Sequence, residues 1–467
     1  MTSPDLVRAS RDGDQFHYYW AARQCLKLLH SGSGLAGVSI EGSSLLETAT
    51  AGEQVIDVAE YYGDVDPGSA DKIIYRQLKH STTRAEQPWT VSGLKGTLEG
   101  FGQKFSKLDA ASPSLADRAV FDFVSNRPVD EAVVQSLRDI AQGVTPRHPQ
   151  IAGYIRGYLG LSGDLAERFC QQFTIDARAP ALLRLTHLFT HDVAALLPGA
   201  PNDGPLRLKE AVTRRATSLE PDPLITMEVV LAALGASPDQ LLPAPSLLLA
   251  PDKIIPVPDA EAVARSLAAS KAPVVVHAAG GVGKSVLAAQ LGALLPAGSL
   301  YLVYDCFARG GYRRSSSPRH EHRQGYVQLA NQLASAGLCD PLVPANPAPP
   351  ASDFSRAFMA RVRAAAESLA VSGQDALLVL AIDAADNAVI AAREQDTGRS
   401  FASDLLREEL PANVRVVEFC RTERIQTLDP PPGTTKLELS GFGLKQQTSK
   451  EECSELIAIQ RNALSEI

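Results

Sequence analysis

The chain predicts an α/β protein built in two parts, on three observations. Residues 14–140 read as helix, three strands, helix, strand, helix. The last two hundred residues carry five apolar strand candidates, mostly separated by helical segments, which favours a parallel sheet. Within that second part, "VVVHAAGGVGKSVLAAQLGALL" passes from strand through a glycine-rich turn into an amphipathic helix.

In chain order, "DQFHYYWAARQCLKLLH" sets Phe16, Tyr19, Trp20, Arg23, Leu26 and Leu29 at helical spacing, with Asp12 or Asp14 able to cap the start. "GSGLAGVSIEG", "EQVIDVAEYYG" and "KIIYRQLKHS" follow as three strands. The turn signal "GDVDPGSAD" divides the last two, and such short connections favour an antiparallel meander. A helix over about 92–107, a strand at "RAVFDFVS" and another helix complete the unit. From 150 to 240 apolar residues recur at three- and four-residue steps, so a helical connector is expected. The proline-rich "LLPAPSLLLAPDKIIPVPD" reads as an extended linker. The expected divisions are 1–145, a connector at 146–242, a linker at 243–258, a P-loop domain at 259–445, and the start of a helical lid at 446–467.

A net charge of −8 excludes nucleic-acid binding through bulk basicity, so any phosphate contact has to be local. Six scattered cysteines form no CxxC pair, as expected of reduced thiols in a cytoplasmic protein. No signal-peptide core or membrane-length apolar run is present, and a soluble intracellular protein is expected.

Glycines before a helix let backbone N–H groups wrap a phosphate closely. Gly280, Gly281, Val282 and Gly283 make that turn, Lys284 would neutralise the β- and γ-phosphates of ATP, and Ser285, followed by Val286, would ligate Mg²⁺. The pattern GxxxxGK[ST] asks for glycine at 278, where this chain has Ala278. "ALLVLAIDAADNA" supplies Asp383 at a strand end for the Mg²⁺ shell, and Asp386 to orient the attacking water. Arg421 or Arg424, just past a further strand, would sense the γ-phosphate or merely form a surface ion pair. The loop "RGGYRRSSSPRHEHR" is expected to be solvated, with contact to DNA or a second protomer as the other reading.

In "YRQLKHS", Gln77 and Lys79 stand two apart on one strand face, sharing it with Tyr75, while Asp57 lies within "VIDVA" on the preceding strand. A carboxylate inside a sheet is costly unless paired or metal-bound. Asp57, the Gln77 amide oxygen and the Lys79 ammonium would form a site for one or two Mg²⁺ ions beside a phosphodiester. Glu41 is a possible additional ligand. A cross-strand salt bridge between Asp57 and Lys79 with no chemistry fits the same residues.

"DGDQFHYYWAARQCL", "VIDVAEYYG", "YRQLKHS", "PWTVSGL" and "FVSNRP" together resemble the restriction-endonuclease-like PD-(D/E)xK domain, in its QxK variant, of bacterial antiviral effectors. "HAAGGVGKS", "YDCFARGGYRR", "RHEHR" and "AIDAADNA" are similar to the STAND/NACHT-like ATPase core fused to such nucleases. The resemblance implies Asp57, Gln77 and Lys79 as nuclease residues and Lys284, Ser285 and Asp383 as ATP–Mg²⁺ residues. It also implies double-stranded DNA as substrate and homo-oligomerisation on activation. The family's long C-terminal sensor does not follow, so a truncated product or a separately encoded sensor is expected.

Overall fold

The computed structural model describes residues 3–47, 51–199, 203–217, 221–248, 257, 259–344, 346, 348–373 and 375–440. The expected lid at 446–467 lies outside the described residues, as do 249–256 and 258 of the proline-rich linker. The chain divides into two compact units, Met1–Gln240 with Asp340–Pro349, and Leu241–Cys339 with the chain from Pro350.

The first unit opens with α1 (Ser3–Cys25), β1 (Leu35–Ile40), β2 (Val58–Tyr62) and β3 (Lys72–Lys79). It continues through α2 (Lys95–Ala111), α3 (Pro113–Arg118), β4 (Ala119–Ser125), α4 (Glu131–Ala141), α5 (Pro149–Leu159) and α6 (Asp164–Gln172). β5 (Phe173–Asp176), α7 (Leu182–Leu196), α8 (Gly204–Arg215), β6 (Leu224–Ile225) and α9 (Met227–Ala233) complete it. Its six-stranded sheet runs β5-β4-β3-β2-β1-β6. The expected antiparallel meander is present in β1, β2 and β3, while β3, β4 and β5 run parallel.

Period-two alternation along β3 sorts its side chains. Ile73 and Tyr75 enter an apolar core with Leu98, Phe101 and Phe105 of α2, Phe121 and Phe123 of β4, and Phe169 of α6. On the other face Arg76 takes both Glu60 carboxylate oxygens and pairs with Asp122, with the Trp20 ring of α1 above it. The stretch 146–242 therefore differs from a freestanding connector. It contributes β5 beside β4 and β6 beside β1, and α5 packs on α2 while α7 and α8 pack on α1. Strands of four and two residues at sheet edges leave too short a sequence pattern to separate from helix.

The second unit holds α10 (Ala260–Ala269), β7 (Val274–Ala278), α11 (Lys284–Gln290), β8 (Leu300–Asp305), α12 (His322–Ser335) and α13 (Ala351–Ser372). After these come β9 (Leu378–Asp383), α14 (Ala385–Glu394), α15 (Phe401–Leu405), β10 (Val414–Arg421), α16 (Ile425–Leu428) and β11 (Thr435–Glu438). The five strands form the expected all-parallel sheet, in the order β11-β7-β10-β9-β8. Apolar side chains of β7, β9 and β10 pack against α10 and α11. The first residues of the proline-rich stretch are packed rather than extended into solvent. Ala244 is buried, with its N–H on Gln328, and the Leu247 N–H reaches the Asp305 carboxylate.

Candidate active site

In the first unit the candidate residues meet at the end of β3. Asp57 is not in mid-strand. A short helical turn (Glu53–Val55) precedes it, and it forms the bend just before β2. Continuing the register of Val58 with Arg76 sets Asp57 opposite Gln77. The Asp57 N–H donates to the Arg76 carbonyl at 2.9 Å, and its carboxylate Oδ2 accepts the Leu78 N–H at 2.6 Å. The carboxylate thus takes a backbone donor of the residue between Gln77 and Lys79. A bend was not legible because Asp57 stands inside the apolar run "VIDVA", which reads as one buried strand.

Burial pushes the Asp57 carboxyl up to about 6, against the opposing influence of His17, the Leu78 N–H and Lys79. Its negative charge is therefore undercompensated. Glu41 follows β1 with a φ of 53°, a conformation a non-glycine residue rarely adopts and one associated with functional positions. Its N–H donates to the Asp57 carbonyl at 2.8 Å, which ties the ends of β1 and β2 together.

Gln77 is buried, and its amide oxygen accepts the hydroxyl of Thr97 in the first turn of α2. That oxygen keeps a second lone pair for a cation. Nothing in the spacing of the sequence singles out Thr97. His17 of α1 is a second residue missed by sequence reasoning. Its Nε2 lies 2.8 Å from the Leu78 carbonyl, and its Nδ1 lies 3.9 Å from both Glu41 Oε1 and Asp57 Oδ1. A histidine beside the apolar stripe of a helix was the available signal.

The loop joining β1 to β2 is held from beneath. Lys104 of α2, fully buried, pairs with Glu47 at 2.7 Å and Glu53 at 2.6 Å and donates to Ser43 Oγ. Tyr61 and Tyr75 both donate to Glu47 Oε1. Gly52, at φ +78°, and Gly100 of α2 bring this turn directly onto the helix. A Cβ on Gly100 would strike the Val55 side chain.

In the second unit β10 lies between β7 and β9, and the carboxyl ends of all three strands carry candidate residues, the position where open parallel sheets bind ligands. Glycine is required where φ is positive, and those positions are Gly281 (80°) and Gly283 (105°). Ala278 is the last residue of β7, with ordinary strand backbone, so its methyl is accommodated there. A Cβ at Gly280 or Gly281 would meet nothing, so the backbone of the turn stands clear of neighbouring atoms at those two positions. Lys284 Nζ donates to the carbonyls of Ala278 and Ala279 at 2.9 and 2.8 Å, and burial draws its pKa down. Ser285 Oγ donates to Asp383 Oδ2 at 2.8 Å, and burial raises the Asp383 carboxyl to about 6. Val286 packs at the margin of the core beneath the turn.

Asp386 is buried in the first turn of α14, where Arg424 holds it at 3.1 Å while also binding Asn387. Arg424 is thus committed to the protein. Arg421 remains half-exposed at the end of β10, 4.0 Å from Glu423, and its charge is felt at Lys284 and Asp386. The arginine loop is not uniformly solvated. Arg319 and His320 are buried, Arg319 binds the carbonyls of Asp305 and Pro245, and His322 pairs with Asp404 at 2.8 Å.

Among the described residues, no three His, Cys, Asp or Glu side chains converge to hold a metal ion by themselves. Mg²⁺ needs no such cage, since it keeps several waters and takes one or two carboxylates together with substrate phosphates. The oxygen donors of Asp57, Glu41 and Gln77, and of Ser285 with Asp383, suit that ion. The raised pKa values of the two aspartates mark charge that a cation would compensate. No family model matches the chain, and no curated protein matches it. Among the described residues no helix is long and apolar enough to cross a membrane.

Proposed function

We propose that this chain is an ATP-regulated, Mg²⁺-dependent DNA endonuclease of an antiviral defence system, in which the P-loop unit is the switch. The observation that carries the reading is the partly buried, undercompensated Asp57 carboxylate clamped to the peptide between Gln77 and Lys79. Bound there, Mg²⁺ supplies a water of lowered pKa and neutralises phosphate charge. Asp57 and Gln77 would hold the cation, and Lys79 would stabilise the negative charge that builds on phosphorus. In the second unit Lys284 releases its two carbonyls to take the nucleotide phosphates, Ser285 and Asp383 hold the accompanying Mg²⁺, Asp386 orients water, and Arg421 meets the γ-phosphate. Nucleotide-driven assembly of several copies then concentrates nuclease units on duplex DNA.

Incubation of purified protein with duplex DNA, Mg²⁺ and ATP tests this reading. Asp57→Ala and Lys79→Ala should each lower cleavage by at least about 10²-fold, the usual loss on removing a group that stabilises transition-state charge. Cleavage by both at the parent rate rejects the nuclease. A second reading, an ATP-binding scaffold that holds nucleic acid or protein without cutting, draws on the engagement of Gln77 by Thr97. It gains if the parent binds DNA and never cuts it. Cleavage that depends on methylation would instead indicate a restriction-type enzyme with a partner specificity subunit.

A further inference from the structure

The residue between Gln77 and Lys79 has both of its backbone polar groups taken by side chains. The Leu78 N–H goes to Asp57 Oδ2 at 2.6 Å, and the Leu78 carbonyl faces His17 Nε2 at 2.8 Å. A carbonyl only accepts, so Nε2 carries the proton and the ring orientation is fixed. Nδ1 is then directed at the two acids, 3.9 Å from Asp57 Oδ1 and 3.9 Å from Glu41 Oε1. Those separations are too long for hydrogen bonds and suit groups bridged by a water. The Asp57 oxygen concerned is the one that Leu78 leaves unused. In metal sites a histidine whose far N–H is pinned to a backbone carbonyl has its near nitrogen fixed in direction, and here that direction is toward Asp57 and Glu41.

We propose that His17 is a positioning residue of the cation site, its Nδ1 holding a water of the cation's hydration shell between Asp57 and Glu41. The inference rests on the nuclease reading and extends the site to the N-terminal helix. The competing role is a pin between α1 and β3 with no part in cation binding.

His17→Gln separates the two, because the glutamine amide nitrogen can reach the Leu78 carbonyl while nothing replaces Nδ1. Mn²⁺ is titrated into the full chain without DNA or nucleotide, and free Mn²⁺ is followed by electron paramagnetic resonance. Binding that disappears in Asp57→Ala defines this site. His17→Gln should weaken that binding about 10–100-fold at an unchanged melting temperature, and should raise the Mg²⁺ concentration needed for cleavage. Parent-like Mn²⁺ binding by His17→Gln, with the Asp57→Ala loss intact, overturns this inference and leaves the nuclease reading standing. A loss of affinity that tracks a fall in melting temperature makes His17 structural and also overturns it. Binding unaffected by Asp57→Ala removes both together.

Discussion

Asp57 and Asp383 share one physical situation at the residue scale. Asp383 is buried and Asp57 partly so, each receives a hydrogen bond, and each is nonetheless pushed up to about 6 by desolvation. A folded-state value above the unfolded one means the folded chain holds the proton more tightly. The destabilisation is therefore absent below the unfolded value near 4, develops between pH 4 and 6, and is complete above 6. Asp57→Asn should raise the metal-free stability by about 1–3 kcal/mol at pH 8 and leave it unchanged near pH 4. Thermal melts at the two pH values check this. Mg²⁺ should narrow the difference at pH 8 by stabilising the parent alone. An Asp57→Asn protein that melts below the parent at pH 8 would contradict the account.

Elements position these residues more than local sequence does. Asp57 is placed by the turn before β2, and that turn is placed by α2 through Lys104 and the side-chain-free contact at Gly52 and Gly100. Removing one partner of a buried ion pair leaves an uncompensated charge and costs about 3–5 kcal/mol. Lys104→Met should therefore lower the melting temperature sharply and abolish cleavage, although its ammonium is engaged by Glu47, Glu53 and Ser43 rather than by Asp57. Double substitution with Glu47→Gln should recover part of the stability. No recovery would assign the loss to packing. In the second unit the strand order does the equivalent work, since β10 between β7 and β9 carries Arg421 to the P-loop.

For the whole molecule, the proposal assigns the two chemistries to separate compact units, each with its own core. Lys284→Ala should abolish ATP binding and ATP-stimulated cleavage and leave the Asp57-dependent Mn²⁺ binding intact. Asp57→Ala should do the reverse, losing cleavage with nucleotide affinity unchanged. Equilibrium nucleotide binding and plasmid cleavage on the two variants check both. Full cleavage by Lys284→Ala would remove nucleotide control from the proposal.

Local pattern determined much by itself. It determined the α/β class, the β1–β3 meander, the five parallel strands and the glycine-rich turn with Lys284 and Ser285, because each rests on periodicity or on residues close in the chain. Tertiary structure alone decided where the stretch 146–242 belongs, since its short edge strands exist only by pairing with β4 and β1. It decided why alanine is tolerated at 278, because the positive backbone angles fall at Gly281 and Gly283. It also decided that Asp57 ends a bend, with Thr97 and His17 brought to Gln77 and Leu78 from two different helices. Those contacts join residues 20 and 61 positions apart, a distance over which no periodicity carries information.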